Sequence, residues 1–139
     1  MKKYIAILLS ITMLAVTSIT ASAAARSIYS DLDWYYPCPG EYGVYITYNP
    51  PSHYGLDIAA PNDSDICSVD DGTVVFSGYH DSTGYYVVVS NDTKLSGVSN
   101  PLYTRYLHMD NPPDVTYNSR VDRGERLGGV GSSGDFVGS

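Results

Sequence analysis

Short runs of β-branched and aromatic residues, each closed by Gly, Pro, Asn or Asp, set the limits on what this chain can fold into. Val44-Tyr45-Ile46-Thr47-Tyr48 and residues 56–59, 85–90 and 102–108 have the composition of strands. The breakers between them include Asn49-Pro50-Pro51-Ser52, Pro61, Ser82-Thr83-Gly84 and Asn111-Pro112-Pro113. Residues 66–69 and 73–77 flank Asp70-Asp71-Gly72, which predicts a hairpin with Gly supplying the positive φ of its turn. No stretch of helical period follows residue 23. The predicted fold class is therefore all-β, a compact antiparallel β-sandwich or folded ribbon.

The N-terminus carries a different signal. Lys2 and Lys3 precede an apolar run from Tyr4 to Val16, and Ala21-Ser22-Ala23 has the small-residue spacing of a cleavage site. That three-part pattern predicts a secretory signal peptide over 1–23 and an extracytoplasmic, secreted product. The apolar part is short for a membrane span, which needs about 20 residues, so no membrane insertion is expected after cleavage. Residues 24–36 read as a lead-in and 37–139 as one domain, expected to be a monomer. The net charge is −7 and all 15 acidic residues lie after residue 23, which disfavours nucleic acid as a partner. Cys38 and Cys67 are the only cysteines. In an exported chain two distant cysteines predict one disulfide, and neither belongs to a Cys-x-x-Cys zinc pair.

Three histidines are present, His53, His80 and His108. His53 and Asp57 form an H-x-x-x-D spacing with Gly55 between them. On a strand they share a face, but four residues of extended chain span about 13 Å, so both reach one metal ion only if the segment bends near His53. The Pro50-Pro51 loop offers that bend. Spacing alone is a weak signal, since a His and an Asp so placed are usually surface residues or a hydrogen-bonded pair. Tyr106 and His108 alternate with Leu107, which places them on one strand face, with His108 either capping a strand end or aimed into a cleft as a proton carrier. His80 reads as an exposed loop residue. There is no G-x-S-x-G elbow, and Glu41 and Glu125 are the only glutamates, so metal-assisted hydrolysis is the most economical hydrolytic chemistry.

The motifs in order are more specific than any of them alone. His53-Tyr54-Gly55-Leu56-Asp57-Ile58-Ala59-Ala60-Pro61 resembles the H-x-G-(I/L)-D-(I/L)-A-x-P signature of the lysostaphin/LytM-type zinc metallopeptidases, which are peptidoglycan endopeptidases. Residues 66–74, the strand after Gly84, Tyr106-Leu107-His108-Met109 and the glycine-punctuated stretch from Val121 to Gly134 resemble that family's later motifs. The resemblance runs over residues 34–139. It implies the family's duplicated-hybrid-motif type of β fold, with a groove holding one zinc ion. By the same resemblance His53 and Asp57 are metal ligands and His108 is catalytic. The family's third ligand belongs to an H-x-H motif expected directly after Gly138, so the expectation is a domain cut short before that motif and inactive by itself. The implied activity is zinc-dependent hydrolysis of cross-bridge or stem peptides in bacterial peptidoglycan. Two rivals stand beside it. One is a catalytically inactive module regulating other cell-wall hydrolases. The other is a carrier domain, disfavoured because Lys94 is not at a clean hairpin tip.

Overall fold

A computed structural model describes residues 3–9, 32–40, 44–46 and 48–135. Nine strands are assigned among them and no helix: β1 (Lys3–Leu9), β2 (Val44–Ile46), β3 (Leu56–Ala60), β4 (Asp65–Cys67), β5 (Gly72–His80), β6 (Gly84–Asn91), β7 (Leu102–Met109), β8 (Arg120–Val121) and β9 (Arg126–Gly129). Seven form one sheet in the order β2-β3-β1-β7-β6-β5-β8, and β4 pairs with β9 in a second. The pairings are antiparallel. The all-β antiparallel class read from the sequence is the observed one.

Alternation builds the core. In β6, Val87 and Val89 are fully buried, and in β7 Thr104 and Tyr106 are, while Tyr103 and Arg105 are exposed. Ile58, Ile66, Val74, Val121, Leu127 and Val130 complete the apolar cluster between the two sheets. Burying each such side chain contributes about 1.5–3 kcal/mol. The Tyr106 hydroxyl accepts from Val69 N at 2.9 Å and from Thr104 Oγ1 at 3.1 Å, so its polar tip is satisfied inside the core. Burial raises its pKa first of all.

The hairpin expected across Asp70-Asp71-Gly72 is not formed. β4 pairs with β9, and β5 pairs with β6 and β8. The backbone after β4 is already engaged: Ser68 N donates to Glu125 O, and Val69 O accepts from Tyr35 N. Asp70 Oδ2 accepts from Thr93 N, and Asp71 Oδ1 accepts from Arg123 N. The segment is thus a corner that carries the chain from the small sheet to the large one. Arg126 ties the same region together, with Asp65 at 2.8 Å, Asp63 at 3.3 Å and Asp114 as a third partner.

The expected Cys38–Cys67 disulfide is likewise not formed; both are free thiols, buried as small apolar groups. They are neighbours, because Cys67 N donates to Pro37 O at 2.7 Å. Burial, then the nearby Cys67 and Asp65, push the Cys38 thiol from 9.0 up to about 11. A thiol held protonated in the fold favours the fold below pH 9, and that contribution is lost as pH rises through the folded value. We expect the reduced protein to lose stability between pH 9 and about 11 in urea titrations, and a Cys38→Ala variant to lose less over the same window.

Within the expected leader, Lys3–Leu9 forms β1, and the cleavage motif lies outside the described residues. β1 lies between β3 and β7, with Ala6 opposite Asp57 and Ile7 opposite both Leu56 and Tyr106.

Candidate metal and proton-transfer site

His53 and Asp57 are brought together by a turn followed by a strand. Asn49 and His53 form an isolated bridge around the cis Pro50–Pro51 peptide, with His53 N donating to Asn49 O at 2.9 Å. The chain becomes extended only at Leu56, so His53 precedes the strand and folds back over it. Ile58 and Ala60 enter the core from β3, which turns Asp57 to the opposite face. His53 Nε2 stands 3.1 Å from Asp57 Oδ1, and Asp57 is only 8% exposed.

That separation is a test of metal fit. Two ligands about 2.0–2.2 Å from a tetrahedral zinc lie roughly 3.3–3.5 Å from each other. The observed pair is within a few tenths of an ångström of that bite, and one imidazole nitrogen plus one carboxylate oxygen is an ordinary zinc donor set. Among the described residues no group of three His, Cys, Asp or Glu side chains is placed to hold an ion. The structure supplies two donors that suit zinc, and catalytic zinc needs three protein ligands.

His108 is positioned by a break in β7. Tyr85 pairs with Met109 and Val87 with Tyr106, so one residue of β6 faces two of β7, Leu107 and His108. Tyr106 and Met109 both enter the core, while Leu107 is outside the core cluster. The bulge interrupts the strict alternation from which the shared face of Tyr106 and His108 was expected. His108 has φ +59°, a conformation uncommon for a non-glycine residue, and its N–H donates to Thr83 O at 2.9 Å. Bulges often re-aim a side chain beside an active site.

The imidazole is then held by its own second partner. His108 Nδ1 lies 2.8 Å from the Ser133 carbonyl oxygen. A carbonyl only accepts, so Nδ1 carries the hydrogen and the neutral ring keeps its lone pair on Nε2. Ser133 is itself fixed: its hydroxyl donates to Met109 O at 2.5 Å and accepts from Tyr85 N at 2.9 Å. His108 and Asp57 stand on strands separated by β1, two strand spacings or roughly 10 Å apart. His80 ends β5 rather than sitting in a loop, and bonds Ser82 Oγ at 2.9 Å away from this pair. Ser133 was not legible as a site residue, since a Gly-Ser stretch carries no sign of which carbonyl a distant histidine will use.

Residues 51–139 match the model of peptidase family M23. The chain belongs to peptidase family M23. The M23 chain is 32% identical over 93 residues to the peptidoglycan DD-endopeptidase ShyA of Vibrio cholerae, covering 67% of this chain and 20% of the relative. It is also 32% identical over 87 residues to ShyC of the same organism, covering 63% and 18%. Among solved structures it resembles a zinc-containing peptidase from Vibrio cholerae, with a TM-score of 0.60 and 26% identity over 74% of this chain and 33% of that one. A putative M23 peptidase from Pseudomonas aeruginosa shares the fold, with a TM-score of 0.57. The chain thus spans about a fifth of the length of these curated relatives.

Proposed function

We propose that this M23 chain contributes to a zinc-dependent endopeptidase that hydrolyses peptide bonds in bacterial peptidoglycan, in the cross-bridge or the stem. The observation that supports it best is the His53–Asp57 pair, whose 3.1 Å separation suits two ligands of one ion on a face away from the core. Names of relatives that act on peptidoglycan support the substrate class. When bound, zinc supplies a Lewis acid for the scissile carbonyl and the attacking water. His108 Nε2, with its lone pair free, takes a proton from the water and returns it to the departing amine nitrogen. The carbonyl carbon gains a bond to the water oxygen as its bond to nitrogen breaks. The Ser133 carbonyl stabilises the imidazolium between those transfers by accepting from Nδ1. An extracytoplasmic location belongs to the same proposal. There the neighbouring Cys38 and Cys67 would be able to oxidise to a disulfide.

A second reading is an inactive module that stimulates another cell-wall hydrolase. The test pairs the 139-residue chain with a version that also carries a downstream H-x-H segment. New amine termini released from purified peptidoglycan are counted with zinc and with a chelator. We expect little release from the first and zinc-dependent release from the second. Equal, chelator-sensitive release from both would sink the ligand assignment. An inactive longer version that accelerates another hydrolase would establish the regulatory reading instead.

A further inference from the structure

The sheet face that carries Asp57 also carries an unneutralised cation and an aromatic stack. Register places them. Asp57 is opposite Ala6 on β1, the Leu107–His108 bulge is opposite Tyr86, and Tyr86 is opposite Gly78. In the next row Arg105 is opposite Leu8 on one side and Val88 on the other, and Val88 is opposite Phe76. Thr104 and Tyr106 turn into the core, so Arg105 turns out, onto the Asp57 side. Gly78 leaves space for the neighbouring ring: an added Cβ would meet Phe76 Cζ at 3.2 Å. Phe76 stacks on Tyr86 with ring centroids 4.3 Å apart and planes at 17°, making a flat apolar platform.

Charge distinguishes Arg105 from the other described arginines. Arg120 pairs with Asp92, Arg123 with Asp33, and Arg126 with three aspartates. Arg105 is exposed and makes no ion pair with a described residue, in a chain of net charge −7 with 15 acidic side chains. A guanidinium left free among so many carboxylates is available to a ligand's carboxylate, which it binds through two parallel N–H donors.

We propose that Arg105 is a specificity-determining residue that binds a free carboxylate of a peptide substrate lying along this face, between the His53–Asp57 pair and the Phe76–Tyr86 platform. This rests on the peptidoglycan-peptide reading and adds to it the feature of the peptide that is recognised. Arg105 lies two residues along β7 from Leu107, about 7 Å, and two strand spacings, roughly 10 Å, from β3. An extended peptide covers about 3.3–3.6 Å per residue, so the carboxylate bound lies about two to four residues from the bond beside Asp57. The apolar parts of the peptide rest on Tyr86 and Phe76.

The experiment measures binding and needs no metal. A synthetic stem-type peptide with free carboxylates and the same peptide with those carboxylates amidated are titrated against the full chain by calorimetry. Arg105→Gln and Arg105→Lys variants are titrated in parallel, with circular dichroism to establish that they fold. We expect the full chain to bind the acid form about tenfold tighter than the amide, Arg105→Gln to abolish that preference, and Arg105→Lys to keep part of it. If Arg105→Gln retains the full preference, the inference is overturned while the substrate class stands. If the unaltered chain binds neither peptide, the inference fails together with the substrate class.

Discussion

Replacing Gly84 with alanine is expected to destabilise the protein by about 3 kcal/mol or more and to release His108 from its orienting contact. Gly84 has φ +66°, where an L residue costs about 1–2 kcal/mol. The added Cβ would also stand 2.1 Å from Ser133 Oγ and 2.4 Å from the Ser133 carbonyl carbon and oxygen, so the Ser133 segment must move. Moving it breaks two hydrogen bonds of the Ser133 hydroxyl, each worth about 1 kcal/mol, and withdraws the carbonyl that holds His108 Nδ1. Urea denaturation gives the first quantity, as a lower midpoint at unchanged slope. Imidazole nitrogen NMR gives the second, as loss of the single Nδ1–H tautomer. A variant with an unchanged midpoint and an unchanged tautomer would mean that this close approach does not hold the histidine.

On the proposed zinc reading, Asp57→Ala is expected to weaken zinc binding by more than about 100-fold, because even outer partners of metal ligands cost 10–100-fold. Its effect on folding should be small. Asp57 lies off the apolar cluster, so alanine leaves no void among the buried valines and removes only its hydrogen bond with His53, worth about 1 kcal/mol. Competition with a chromophoric chelator measures the affinity, and the same urea series measures stability. Asp57→Asn separates charge from shape. It keeps an oxygen acceptor near His53 but loses the carboxylate, and should bind zinc nearly as poorly as the alanine variant. Zinc affinity that survives both changes would place the ion elsewhere.

Much of the sheet was legible because its strands follow composition. The valine-rich run of β6 and the alternation in β7 are set by local chemistry and by the need to bury one face. The bend that brings His53 to Asp57 was only offered by the sequence, through the Pro50-Pro51 loop before His53, and the spacing alone did not require it. What failed depends on partners distant in sequence. β4 and β5 look like hairpin arms, but Glu125, Tyr35 and the Tyr106 hydroxyl take the backbone groups that a hairpin turn would leave free. The bulge at His108 is invisible to alternation, which has no means of knowing that Met109 must also reach the core. β1 illustrates a deeper ambiguity: a central strand and the apolar segment of an export leader can both be continuous apolar runs, and composition alone does not tell them apart.

The placement of β1 makes the chain's first strand a mechanical link between the two chemical halves of the site. β3, carrying Asp57, and β7, carrying His108, share no hydrogen bonds with each other; each is bonded to Lys3–Leu9. Removal of that strand would split the seven-stranded sheet into a two-stranded flap bearing Asp57 and a four-stranded body bearing His108. Occupancy of this single lane and the separation of the His53–Asp57 pair from His108 are therefore thermodynamically linked, so whatever strand fills the lane sets how the two halves stand to each other.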